Sequence, residues 1–177
     1  MIVAADMSQQ IRLSYIHVED EVWNKFELAC DRLGWQSKNL LQQIVHSFFA
    51  RHRDYYCRAA IADAKAREMT EQPYYETLKG GSEEDLNRYI GQRPNFGPSP
   101  LATVPDPIAN KETRRRYNLL TLGDFNYVLL KVAMIVERAS IVELTSRITL
   151  WHFNEYWEKL YLPQIQHDEQ RRFLLEK

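Results

Sequence analysis

The stretch from Ile11 to Phe49 constrains the fold more than any other part of this 177-residue chain. Ile11-Arg12-Leu13-Ser14-Tyr15-Ile16-His17-Val18 alternates as a strand does and runs into Glu19-Asp20-Glu21, acids suited to the positive end of a helix dipole. An amphipathic helix follows, with Val22, Phe26, Ala29 and Leu33 on one face, and it closes at Gly34. After a two-residue turn, Ser37 caps a second helix carrying Leu40, Leu41, Ile44, Val45, Phe48 and Phe49. One short strand and two helices cannot bury those apolar faces alone. Such a unit has to pair with a twin.

Downstream, apolar positions continue through Tyr55, Tyr56, Ala59, Ala60 and Ile61, and no Gly or Pro interrupts the chain between Leu40 and Gln72. The pattern predicts one helix of about thirty residues, roughly 45 Å long. It ends at Pro73, and its far half needs a partner surface. Gly80-Gly81 breaks the chain, and Ser82 caps a short helix that ends near Ile90-Gly91. Pro94, Pro98, Pro100, Pro105 and Pro107, with Gly91 and Gly97, make residues 91–110 a linker. The expected organisation is therefore a unit over 1–90, the linker, and a helical half over 111–177.

The pattern restarts after the linker. Asn118-Leu119-Leu120-Thr121-Leu122 is a short strand candidate, and Gly123-Asp124 opens a strongly apolar helix through Val136. A break at Ala139-Ser140 introduces another helix through Leu144, Ile148, Trp151, His152, Tyr156 and Leu160. Pro163 interrupts it, and a charged tail follows from Asp168. Sliding this half over the first by 104 residues places Val18 on Leu122, Asp20 on Asp124, Phe26 on Leu130, Leu40 on Leu144 and Phe49 on Phe153. The second half is thus a candidate degenerate copy of the first, able to complete the pairing inside one chain. The fold expected is mainly α with one or two short β-strands.

Composition narrows the function classes. A net charge of −1 gives no whole-molecule push toward nucleic acid or membrane, so any nucleic-acid surface must be a local patch. The cysteines, Cys30 and Cys57, have no metal-ligand spacing and read as reduced thiols. The first residues, Met1 to Asp6, lack a basic leader pattern, and no run approaches a membrane span. The expectation is a soluble, cytoplasmic protein. No P-loop, dinucleotide turn, nucleophile elbow or metal cluster occurs, and the histidines are scattered. The chain reads as a non-enzyme without cofactor or metal.

The order strand, helix, Gly-turn, helix over residues 11–49 resembles the ribbon-helix-helix family of DNA-binding transcriptional regulators (the Arc/MetJ type), and residues 115–160 resemble a degenerate second copy. The resemblance implies a two-fold pair whose antiparallel ribbon enters the major groove of double-stranded DNA. The pair would be a homodimer or an intramolecular pseudo-dimer. Counting back from Val22 and Val18 as inward residues puts Ile16 and Ser14 inward, and Leu13, Tyr15 and His17 on the outer, base-reading face. The opposite register would expose Arg12, Ser14 and Ile16. In the family the outward residues are usually Lys, Arg, Thr, Asn or Gln, so Leu, Tyr and His depart from the pattern.

The resemblance also implies a phosphate grip at the start of the second helix, where Gln36, Ser37, Lys38 and Asn39 stand and Ser37 and Lys38 suit the anion. Arg114-Arg115-Arg116, with Lys111 nearby, reads as a flexible basic arm adding phosphate contacts. A different reading keeps the same dimer core but no DNA contact. On that reading the chain is a protein-interaction or assembly module, docking a partner through an apolar ribbon face or along the long helix.

Overall fold

The computed structural model describes residues 8–92, 94–106 and 113–176. Lys111 and the first residues, Met1 to Asp6, lie outside them. The fold is mainly helical, with short antiparallel strand pairs. In chain order the elements are β1 (Ser8–Arg12), β2 (Tyr15–His17), α1 (Asp20–Leu33), α2 (Ser37–Arg51), α3 (Arg53–Ala66), α4 (Glu71–Gly80) and α5 (Glu83–Gly91). Then follow β3 (Arg114–Arg116), β4 (Leu119–Gly123), α6 (Asp124–Glu137), α7 (Ile141–Tyr156), a π-helical turn (Trp157–Tyr161) and α8 (Leu162–Leu175). Among the described residues, no helix is long and apolar enough to cross a membrane.

The strands pair across the two halves of the chain. β1 lies antiparallel to β4 from Ser8↔Gly123 to Arg12↔Leu119. β2 lies antiparallel to β3 from Tyr15↔Arg116 to His17↔Arg114. Both pairs keep one register, and the residues between them join in. Leu13 N–H donates to Asn118 O and Tyr117 N–H donates to Ser14 O, each at 2.9 Å, and Val18 N–H donates to Thr113 O at 2.9 Å. The result is one ribbon of residues 8–18 against 113–123. In a regular antiparallel ladder only alternate pairs exchange hydrogen bonds. Here the adjacent pairs Leu13–Asn118 and Ser14–Tyr117 both bond, so the ladder changes phase at its midpoint.

That phase change decides which side chains go inward. Before it, Leu13 is fully buried and Gln10 and Arg12 are exposed; at it, Ser14 is exposed; after it, Ile16 and Val18 are buried. The second strand behaves in the same way: Arg114, Arg116 and Asn118 are exposed, then Leu120 and Leu122 are fully buried. The expected outward set is corrected accordingly. Leu13 is a core residue at 0% exposure, and Ser14 is exposed. His17, opposite Arg114 in the ladder and edge-on to Tyr15, keeps the outward parity although only 6% of it is exposed. The expectation carried one uninterrupted pleat back from Val18, and the ribbon has two pleats of opposite phase.

Helices close over the inward side of the ribbon. α1 starts with Asp20 and Glu21 in its first turn, buries Val22, Phe26 and Ala29, and stops at Gly34, whose φ of 71° is left-handed. α2 buries Leu40, Leu41, Ile44, Val45, Phe48 and Phe49. α6 and α7 repeat the arrangement. Asp124 opens α6 as Asp20 opens α1, and Ile141 opens α7 as Ser37 opens α2, each 104 positions later. α2 packs on β4 while α7 packs on β2, so each half covers the strand that its counterpart's helices follow or precede. Phe26 of α1 meets Phe153 of α7 edge-on, with ring centroids 6.0 Å apart.

The single thirty-residue helix expected from the sequence is two helices. The chain turns at His52 (φ −108°, ψ 18°), whose ring sits against Phe48 and Trp151. α3 then lies on α6 and α4 of the same chain, burying Tyr56, Ala59, Ala60, Asp63 and Ala64. The buried Asp63 carboxylate accepts from the Tyr74 hydroxyl at 2.7 Å and from Arg67 Nε at 3.1 Å, which binds α3 to α4. Pro73 does not end a helix: it sits in the first turn of α4, where a missing N–H costs nothing. The charged tail continues as α8.

Two outcomes follow from this packing. Leu13→Ala should cost about 2–5 kcal/mol in urea unfolding, while Ser14→Ala should stay within about 0.5 kcal/mol; a single regular pleat would reverse that ranking. The second concerns His152, which is buried beside the Tyr161 hydroxyl (2.8 Å from Nε2), with burial pushing its pKa down to about 4. The unfolded chain takes a proton on this ring below its ordinary 6.5, whereas the native state resists until about 4. Stability therefore falls across that window and is unaffected above it. Between neutral pH and about pH 4, wild type should lose roughly 3 kcal/mol more than His152→Gln in parallel denaturation curves.

Candidate nucleic-acid interface

On the ribbon's outward side Thr121, Leu119, Tyr15 and His17 stand opposite Gln10, Arg12, Arg116 and Arg114, and exposed polar residues come from both strands. These are Gln10, Arg12 and Ser14 from one strand and Arg114, Arg116 and Asn118 from the other, all exposed. A backbone ladder needs none of these side chains. Around the second-strand end, Ser14, Tyr15, Arg114, Arg116 and Tyr117 line a concave depression of about 520 Å³. The Arg114 guanidinium stacks on the Tyr15 ring, 3.8 Å from its centroid. Stacking fixes the plane of the guanidinium and leaves its N–H edge available to an acceptor. Tyr15 itself is half-buried and meets the His17 ring edge-on at 5.4 Å.

The three consecutive arginines have different fates. They form β3 rather than a flexible arm, so alternation sends Arg114 and Arg116 outward and Arg115 back against α1. Arg115 pairs with Asp20 and lies 5.5 Å from the centre of the Trp23 ring. It ties the ribbon to α1. Arg12 and Arg116 have no ion pair or side-chain hydrogen bond among the described residues.

The structure brings one expected phosphate-binding element beside the ribbon. Gln36, not Ser37, occupies the N-cap of α2 (φ −78°, ψ 143°), so Ser37 is the first helical residue. No side chain caps this end, and Ser37, Lys38 and Asn39 are exposed. The Tyr117 hydroxyl donates to the Lys38 carbonyl at 2.8 Å, pinning the first turn of α2 to the ribbon's midpoint. Burial raises the Tyr117 pKa to about 12, so it remains a donor. The corresponding end of α7 is filled by its own residues. Ser140 Oγ accepts from the Glu143 N–H and the Glu143 carboxylate accepts from the Ser140 N–H, both at 3.2 Å. α7 instead holds the ribbon through Ser146, whose Oγ accepts from the His17 N–H at 2.9 Å.

Thus Arg12, Arg114, Arg116, Ser37 and Lys38 lie where an anionic, hydrogen-bonding surface could reach them, while Leu13 and Arg115 serve the interior. Gln10, Ser14 and Asn118 are additional exposed members. Their signal lies in the apolar pattern, which runs Ile11, Leu13 and then Ile16, Val18, changing parity between them. The same change occurs between Tyr117 and Leu120-Leu122 on the other strand. Among the described residues, no group of three His, Cys, Asp or Glu side chains gathers in a metal-binding arrangement. Comparison with family models, curated proteins and solved structures returns no match.

If the exposed arginines are surplus to the fold, Arg12→Ala and Arg116→Ala should each shift the unfolding free energy by less than about 0.5 kcal/mol. Arg115→Ala should cost about 1 kcal/mol through its lost ion pair and its place by Trp23. Calorimetric melting of the three variants checks the contrast.

Proposed function

We propose that this chain is a DNA-binding transcriptional regulator of ribbon-helix-helix type, with its two strand–helix–helix halves forming an intramolecular pseudo-dimer. The pseudo-dimer is supported by equal element spacing in the halves and by the ladder. Moving the Leu13–Asn118 hydrogen bond by 104 positions on each partner turns it into the Tyr117–Ser14 hydrogen bond. Reading DNA is supported above all by one observation: the outward ribbon face carries Gln10, Arg12, Ser14, Arg114, Arg116 and Asn118. Amides and guanidinium groups match the donor and acceptor edges of bases in a major groove wide enough for a two-stranded ribbon.

The remaining parts have supporting roles in this reading. The uncapped first turn of α2, with Ser37 and Lys38, holds a backbone phosphate through free N–H groups and a positive side chain. The near-zero net charge of the whole chain is compatible with a local patch formed by Arg12, Arg114 and Arg116. The assembly-module reading draws on near-zero net charge, an apolar ribbon face and a long aromatic helix. Leu13 is buried and the long helix is two helices, so the outward arginines favour the DNA reading.

The test is fluorescence anisotropy with a labelled random duplex. Raising salt from about 50 to 200 mM should weaken binding at least tenfold, with about −0.9 of log–log slope per phosphate contact. The double variant Arg12→Ala/Arg116→Ala should weaken it by a further factor of ten or more. Binding that ignores both salt and the double variant, or no binding at low salt, refutes the proposal.

A further inference from the structure

The two ends of the outward ribbon face are not copies of each other. Positions that play the same part in the ladder lie 104 residues apart, as the Leu13–Asn118 and Tyr117–Ser14 hydrogen bonds demonstrate. Outward from the midpoint, this matches Ser14 with Asn118, Arg12 with Arg116, and Gln10 with Arg114, all exposed. The middle pair is identical. The outermost pair differs in both charge and hydrogen-bonding pattern. A Gln amide pairs in bidentate fashion with N6 and N7 of adenine, whereas a guanidinium pairs with O6 and N7 of guanine.

We infer that the duplex taken by this chain is directional, with like guanine contacts from Arg12 and Arg116, an adenine under Gln10 at one end and a guanine under Arg114 at the other. The inference rests on the ribbon reading proposed above and specifies its ligand. A homodimer must present the same side chains to both half-sites, which is why two-fold proteins favour palindromes. A single chain is released from that constraint, and this one has used the freedom at the reading surface. Arg114 is also held differently from its counterpart, stacked on Tyr15 with its plane fixed. The flanking helix starts are equally unlike. α2 begins with Ser37 and Lys38 and no side-chain cap, while the Glu143 carboxylate occupies the start of α7 and would repel a phosphate. Base contacts and phosphate grip thus both have a direction.

The experiment is selection from a randomised duplex library with the intact chain, followed by affinities for the enriched site. The expected motif differs from its own reverse complement at the outer positions and agrees with it at the pair contacted by the two equivalent arginines. Replacing the outer A·T pair by G·C in the Gln10 half should weaken wild type roughly tenfold. Gln10→Arg should reverse that preference, and Gln10→Ala, which adds no charge, should abolish it, with melting temperatures unchanged. A palindromic motif, or one preference shared by wild type and both Gln10 variants, overturns the directional site and leaves DNA reading intact. No enrichment over the starting library overturns both.

Discussion

Every part of this molecule depends on a strand from residues 8–18 finding its mate at 113–123. A short strand followed by two amphipathic helices has more apolar surface than it can cover. Pairing the strands brings α1 and α2 against α6 and α7 and closes one core from Phe26, Phe48, Phe49, Phe153 and their neighbours. The cost is a long loop, since the mates lie about a hundred residues apart. Closure entropy grows only logarithmically with loop length, so burial of several fully enclosed side chains offsets it readily.

The midpoint of that ribbon couples folding to function. Because the ladder changes phase between Leu13 and Ser14, the inward positions of each strand switch from odd to even numbers, from Leu13 to Ile16 and Val18 and from Arg115 to Leu120 and Leu122. One geometric event therefore buries Ile16, Val18, Leu120 and Leu122 and exposes Arg12, Arg114 and Arg116. Strong local twist is characteristic of two-stranded ribbons, which lack neighbours to hold them flat. The interior then anchors what the surface uses: Tyr117 pins α2, Ser146 pins β2 and Arg115 pins α1.

Much of this architecture is legible in the residues. The acidic starts at Asp20 and Asp124, the stop at Gly34, and the caps at Ser82 and Ser140 all mark helix ends by local chemistry. The break at His52 is not marked. It carries no Gly or Pro, and the ring is seated by Phe48 and by Trp151, the latter about a hundred residues away. The outward face is a subtler case. Simple alternation from Val18 sends Leu13 outward, because period-two reasoning assumes one pleat. The parity change from Ile11-Leu13 to Ile16-Val18 carries the information, but it gains meaning only once the opposing strand is known. Likewise Arg114-Arg115-Arg116 reads as a plain charge run until pairing separates Arg115 from its neighbours.

The register of the ribbon within one chain is the central claim, and a cross-strand disulfide tests it most directly. Counting back in alternation from the bonded pair Leu13–Asn118 makes Gln10↔Thr121 a non-hydrogen-bonded pair, where side chains approach closely enough for a disulfide. With Cys30 and Cys57 replaced by Ser, the variant Gln10→Cys/Thr121→Cys should oxidise to a monomeric species. Non-reducing electrophoresis and peptide mapping should place the bond between those two positions. Disulfide-linked dimers at low protein concentration, or thiols that stay free under conditions that oxidise a control pair, would contradict the account.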